Sequence, residues 1–316
     1  MPSIRGLVYA ASALAALILA LGLARSARHG AGTSSDSSAV GRAAGRSEPG
    51  AARQTGVFQD PRLTESSAAT VSRSQPGIIW TLNDSGNDAR IFATDSAGTK
   101  RWSYHVEQAA NVDWEALSLG PCGTTICLFI ADIGDNNAVR DHVTIYRIVE
   151  PTVEAGSGDT SSPLLDSLVV QYADGPHDAE AFVVKPSGDA FIITKGREGA
   201  AWMYEIPATQ WASHEPLRAQ SLAQVAIQTS FVGGRLITDA ALSPEGDQLA
   251  VRTYRTVYIF SRTPKSRWLP DQPTRSCDVA GLEPQGEGVD WWNSRTLVLT
   301  SERGFARAGT IFLLSC

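Results

Sequence analysis

The sequence predicts an all-β fold in which a four-stranded unit repeats radially, a single β-propeller of five blades with a sixth left open. Three observations predict it. Five short runs rich in branched and aromatic residues recur along the chain, each followed by a polar or glycine-containing loop and a further strand-like run. A carboxylate beside small residues precedes each first run: Glu65, Glu115, Glu180, Asp239 and Glu287, spaced by 50, 65, 59 and 48 residues. That spacing lies near the roughly 40–50-residue period of propeller repeats, and long helical patterns are almost absent between the units.

The chain starts with an export signal or membrane anchor over residues 1–28. Arg5 precedes Gly6–Ala24, which carries no charge over 19 residues. This length lies between the apolar core of a cleavable signal, about 7–15 residues, and a membrane span of about 18 or more. Gly22-Leu23-Ala24 offers small residues for cleavage, but Arg25 and Arg28 follow at once, so cleavage and retention both stay open. Residues 29–56 are Ala, Gly, Ser and Arg with Pro49 and no hydrophobic period, which predicts a flexible linker. The propeller is therefore assigned to 57–316, and the location to the extracytoplasmic side, secreted or anchored by the N-terminal segment.

With 43% hydrophobic and 19% charged residues among 316, the chain can bury a large core. Its formal charge of −6 is unevenly placed. Residues 1–56 hold six arginines against Asp36 and Glu48, which leaves 21 basic and 31 acidic residues in the body. An acidic body argues against a nucleic-acid partner, and it limits membrane contact to the N-terminal segment.

The first strand of each pair is expected at Ile78–Leu82, Leu128–Ala131, Ala190–Thr194, Gln248–Val251 and Thr296–Thr300. The loops after them are NDSGND at 83–88, DIGDNN at 132–137, KGREGA at 195–200, RTYR at 252–255 and SERGFA at 301–306. Second strands follow at Arg90–Ala93, Val143–Arg147, Trp202–Ile206, Val257–Phe260 and Thr310–Leu314. KPSGDA at 185–190 and SPEGDQ at 243–248 are matching turns between strands of their units. Thr55–Gln59 matches Leu168–Tyr172 and Leu222–Ala226, so an N-terminal strand should close the ring beside Thr310–Leu314 and remove an open sheet edge. The four cysteines fall into two local pairs. Cys122–Cys127 would clamp a turn, and Cys277–Cys316 would tie the chain end to an earlier strand.

WTLNDSGND, DWEAL, ADIGDN with IYRIVEP, DAEAF, TDAALSPEGDQLAVRTY and QGEGV span roughly 57–316. Together they resemble bacterial exported β-propeller proteins of the cell envelope, and more loosely the esterase-like phytase and WD-repeat-like propellers. The resemblance implies five or six blades and a binding surface at one mouth of the central channel. It implies no particular chemistry. One unit departs from the pattern, since Asp239 lies one position before the acidic slot that Ala240 fills.

Equivalent positions of successive blades lie at equal height, so Glu65, Glu115, Glu180, Asp239 and Glu287 would form a carboxylate ring in the channel. Asp84, Asp132, Lys195, Arg252 and Glu302 would form a second tier whose cations neutralise the first. Asp113, Trp114, His177, Asp178 and Trp291 are expected to line the mouth. An oxygen cage of this kind suits Ca2+, a salt-bridged ring needs no metal, and an acid–base role for the ring is a third reading. No catalytic residue is assigned. No Gly-x-Ser-x-Gly elbow, phosphate loop or dinucleotide fingerprint occurs. The expected function is a binding or interaction module for a protein or small-molecule ligand. A metal-assisted phosphatase or esterase with its site at the mouth is the alternative.

Overall fold

A computed structural model describes residues 51–213, 215–227, 229, 231–262, 272–304 and 308–316. Residues 1–50, which hold the expected signal or anchor and most of the expected linker, lie outside the described residues. The described chain forms a five-bladed β-propeller. Blade 1 is β2 (Ser66–Val71), β3 (Ile79–Asn83), β4 (Arg90–Thr94) and β5 (Lys100–Val106). Blade 2 is β6 (Trp114–Cys122), β7 (Thr125–Asp132), β8 (Val143–Val149) and β10 (Asp166–Tyr172). Blade 3 is β11 (Ala179–Val184), β12 (Ala190–Thr194), β13 (Ala201–Ile206) and β15 (Ser221–Val225). Blade 4 is β16 (Ile237–Leu242), β17 (Gln248–Thr253), β18 (Thr256–Ser261) and β19 (Arg275–Asp278).

Blade 5 joins the two ends of the described chain. Here β20 (Gln285–Asn293), β21 (Thr296–Glu302) and β22 (Thr310–Ser315) pair in order, and β1 (Ala51–Val57) adds to the outer edge of β22. The expected closing strand is present, but it starts at Ala51, inside the stretch read as linker. Residues 51–57 are mostly exposed and show no apolar alternation; the free edge of β22, rather than side-chain burial, makes them a strand. Blades 1 and 2 also exceed four strands. After β8 the chain crosses back, and β9 (Gly158–Ser162) pairs in parallel with β5, while β14 (Leu217–Ala219) pairs in parallel with β10. Each covers an edge that four strands would leave open.

The inner strands β2, β6, β11, β16 and β20 pack against one another in a closed ring. Every residue of β2 and β11 is buried, because each inner strand has sheet on one side and a neighbouring inner strand on each flank. This explains the small residues of the repeat: Ala68, Ala116, Ala181 and Gly288 allow the backbones to converge. A Cβ on Gly288 would stand 2.7 Å from the carbonyl carbon of Ala68 in blade 1. Between blades the packing is apolar and aromatic, with Trp80, Trp114 and Trp291 all fully buried. Trp291 and Trp292 point to opposite faces of β20, into two different clusters. The expected turns hold, with Gly188 at φ 86° and Gly246 at φ 72°.

Both disulfides pair as expected. Cys122–Cys127 spans the β6–β7 hairpin and Cys277–Cys316 ties β19 of blade 4 to the chain end in blade 5, each with Cα atoms 5.8 Å apart. No cysteine of the chain is free. Among the described residues no helix is long and apolar enough to cross a membrane.

Candidate functional site: an acidic channel mouth

Every inner strand carries an irregularity at the same height, near the end where the chain enters it. The unpaired residue is Ser67 in β2, Glu115 in β6, Glu180 in β11 and Thr238 in β16, and in β20 the break spans Glu287 and Gly288. A bulge re-aims the side chain it carries, and here it does so around one axis. The interblade bonds agree with this register. Ser67 Oγ donates to the Glu115 backbone carbonyl at 3.3 Å, and Thr238 Oγ1 donates to the Glu287 carbonyl at 2.9 Å. One level further along, Val184 N donates to Ser118 Oγ at 3.1 Å, and Val71 N donates to Asp290 Oδ2 at 2.6 Å.

The ring at that height is therefore Ser67, Glu115, Glu180, Thr238 and Glu287. Glu65 and Asp239 do not belong to it. Glu65 stands two residues earlier, level with Asp113, Asp178 and Gln285, because the bulge shifts the pairing of β2 by one residue. Asp239 stands one residue past the slot, not one before it, and is turned into the wall. Its carboxylate accepts from Val289 N at 2.8 Å and from Ala240 N at 2.8 Å, joining blade 4 to blade 5.

The second tier divides in the same way. Asp84, Lys195 and Glu302 lie level, with Asp84 N donating to the Glu65 carbonyl and Lys195 N to the Asp178 carbonyl, and with Glu302 paired to Gln285. Tyr254, not Arg252, completes that level in blade 4. Asp132 and Arg252 fall earlier on their strands and serve the frame. Asp132 accepts from Arg140 Nη1 at 2.8 Å and from Asp113 N at 3.0 Å. Arg252, 1% exposed, donates to the carbonyls of Gly288 at 2.6 Å and Thr300 at 3.0 Å and pairs with Glu283.

Of the expected lining residues, Asp113 and Asp178 reach the mouth. Asp178 pairs with Arg197, which also bonds Asn136. Trp114 and Trp291 do not line it. Both are core, with indole N–H groups on the carbonyls of Ala110 at 2.8 Å and Ala241 at 3.1 Å, because the neighbouring bulge turns the carboxylate, not the ring, toward the axis. His177 is packed against Tyr172 and Tyr204, with ring centroids 5.3 Å and 5.5 Å away and its Nε2 3.2 Å from Asp174.

Glu115, Glu180, Glu287 and Lys195 form a buried floor. Ser67 Oγ donates to Glu115 Oε2 at 2.6 Å, Lys195 Nζ pairs with Glu180 Oε1, and Gln285 Nε2 donates to Glu287 Oε1 at 2.9 Å and to Glu302 Oε1 at 2.7 Å. Glu65, Asp84, Asp113, Asp178, Tyr254 and Glu302 form the rim above. Gly134 is required for this assembly: a Cβ there would stand 2.5 Å from Asp113 Cγ and 2.8 Å from Glu115 Oε1.

Crowding carboxylates out of water raises their proton affinity. Burial, then Glu65 and Asp113, pushes Asp84 up to about 9. Burial and Asp178 raise Asp113 to about 6, and burial raises Glu180 to about 8 even though Lys195 opposes the shift. Burial and Glu180 hold Glu115 well above its ordinary range, and burial and Glu287 do the same to Glu302. Lys195 is held charged by Glu180 and its neighbours against the cost of burial. Asp84 Oδ1 and Glu287 Oε2 are buried and accept no hydrogen bond. Among the described residues no group of three or more carboxylate, His or Cys side chains is gathered into a metal-ligand set.

Ser67, Thr238, Tyr254 and Gln285 are mouth residues that the carboxylate pattern passes over. The usable signal is the small residue after the slot, in Ser67-Ala68, Glu115-Ala116, Glu180-Ala181 and Glu287-Gly288. No family model matches the chain, and no curated protein matches it. Solved structures similar in fold include the PQQ-bound aldose sugar dehydrogenase of Streptomyces coelicolor, with TM-score 0.48 and 10% identity over 86% of this chain and 99% of that one. The hydrazine synthase of Kuenenia stuttgartiensis aligns with TM-score 0.39 and 13% identity over 78% of this chain and 57% of that one. The complex of KlAtg21 with the coiled coil of AgAtg16 aligns with TM-score 0.36 and 11% identity over 75% and 66%. The chain is a five-bladed β-propeller whose inner strands present a buried acidic cluster at one mouth of the channel.

Proposed function

We propose that this protein is an exported binding module of the cell envelope whose ligand carries positive charge and docks at the acidic mouth. One observation carries the reading. Carboxyl groups from four blades meet at the mouth, where among the described residues Lys195 and Arg197 are the cations that pair with them, so the carboxyl groups outnumber the cations beside them. A buried charge without a partner is costly, and either protons or a bound cation must relieve it. The two paired disulfides fit an oxidising, extracytoplasmic compartment. No observation favours the metal-assisted hydrolase alternative: among the described residues no set of three or more carboxylate, His or Cys side chains is gathered for a metal.

Calorimetric titration of the full chain with methylammonium chloride, calcium chloride and sodium phosphate tests the charge preference. Saturable binding of a cation and none of phosphate is the expected result. Binding of phosphate, with no cation bound, overturns the reading.

A further inference from the structure

Where the chain passes from blade 3 to blade 4 it leaves a cavity of about 250 Å3 that shares no residue with the acidic mouth. Strand β15 ends at Val225, and Ile227 N donates to the Val225 carbonyl at 2.9 Å, which turns the chain off the sheet. Blade 4 begins where Ile237 N donates to the Lys195 carbonyl at 3.0 Å. The approach to β16 is held in place on both sides. A 3-10 turn covers Val232–Gly234, Tyr258 Oη donates to the Gly234 carbonyl at 3.3 Å, and the Arg255 guanidinium stands 4.7 Å from the centre of the Phe231 ring.

The lining is of two kinds. Ala201 and Val225 are part of the apolar cluster between blades 3 and 4, and Ile227 packs against it. Among the described residues Arg235 is the one charged member of the lining, and no carboxylate stands there with it. Its Nε is buried and meets no hydrogen-bond acceptor among the described residues. By contrast Arg62, Arg140, Arg147, Arg197 and Arg252 each pair with a carboxylate. A guanidinium N–H shut away from bulk water without an acceptor is costly, so the cavity must supply the acceptor.

The planar fork of a guanidinium matches a carboxylate or a phosphate. One positive charge stands here, so a doubly charged phosphate would keep a charge unmatched, whereas the apolar walls favour a hydrocarbon tail. The volume lies just below the usual range of ligand sites, about 300–1,000 Å3, so the tail must be short. We propose that Arg235 and this cavity bind a carboxylate on a short apolar tail, of a free acid or of a peptide C-terminus.

The test is calorimetric titration of the full chain with sodium butyrate, with its neutral amide butyramide, with an acetylated tetrapeptide ending in a free valine carboxylate, and with sodium phosphate. Each is repeated on Arg235→Gln, which removes the charge, and on Ala226→Leu, which fills the lining and keeps the charge. The control is Arg295→Gln, at an exposed arginine of the β20–β21 turn, and folding is checked by thermal unfolding. Supporting results are binding of butyrate or the peptide but not of butyramide, weakened about tenfold or more in Arg235→Gln and Ala226→Leu and unchanged in Arg295→Gln. The tighter of the two carboxylate probes identifies the source. If one variant does not fold, the other decides. Failure of both carboxylates to bind overturns the site, as does binding that Arg235→Gln or Ala226→Leu leaves unchanged. Equal binding of butyramide, or tighter binding of phosphate, overturns the ligand class.

Discussion

At the residue scale, the excess of carboxylates makes the protein's stability depend on protons. Asp84, held at about 9 in the folded chain by burial and by Glu65, Asp113, Glu287 and Glu180, binds a proton that the unfolded chain releases near 4. Asp113 at about 6 and Glu180 at about 8 act in the same direction. In this window the folded state holds more protons than the unfolded one, so stability falls as pH rises. The unfolding midpoint should therefore decline between about pH 5 and pH 9, and Asp84→Asn should flatten the decline; a midpoint that rises over this range would contradict the burial of these groups. Gly134→Ala meets the opposite constraint. Its methyl has no room beside Asp113 and Glu115, and the overpacking should cost about 1–3 kcal/mol in denaturant unfolding. Trp114 separates wall from site: Trp114→Ala should cost about 3–5 kcal/mol of stability as a core truncation while leaving cation affinity at the mouth unchanged in the protein that remains folded.

At the element scale, the ring closes through three different bonds between chain segments. The β1–β22 pairing joins the two ends of the described chain, Asp290 accepts Val71 N and pairs with Arg73 across the blade 5–blade 1 seam, and Cys277–Cys316 crosses from blade 4 to blade 5. The two disulfides close loops of very different length, with sequence separations of 39 and 5. In the chain-entropy account, replacing Cys277 and Cys316 with serine should cost about 4 kcal/mol and replacing Cys122 and Cys127 about 2 kcal/mol, read as the order of their denaturant midpoints. Equal midpoints would show that ring closure does not depend on the longer bridge.

The strand runs and the loops between them are legible in the sequence, because alternation and β-branched content are local properties. The same pattern places β1 too late and passes over β9 and β14. These strands bury little and exist because an edge was free beside them, a fact that a local pattern does not contain.

At the scale of the whole molecule, five repeats of one strand pattern determined by themselves that the chain would be radial, closed by its own N-terminal strand and stapled by two local cysteine pairs. A repeat that cannot bury its inner edge alone must close on its neighbours, so period and composition suffice for that much. The site is legible only in part. The structure places Glu115, Glu180 and Glu287 at one height on their inner strands, whereas Glu65, Asp239, Asp132, Arg252, Trp114 and Trp291 stand at other positions than the repeat pattern gives them. A single bulged residue on each inner strand shifts which side chain reaches the axis, and with a side-chain period of two a shift of one residue exchanges channel for wall. Tertiary structure alone decided that Ser67 and Thr238 complete the ring, and that the paired cations collect over blade 3 while Glu65, Asp84, Glu287 and Glu302 have no ion-pair partner among the described residues. The physical reason is that charge balance at the mouth sums over residues far apart in the chain, and only closure of the ring brings them within reach of one another.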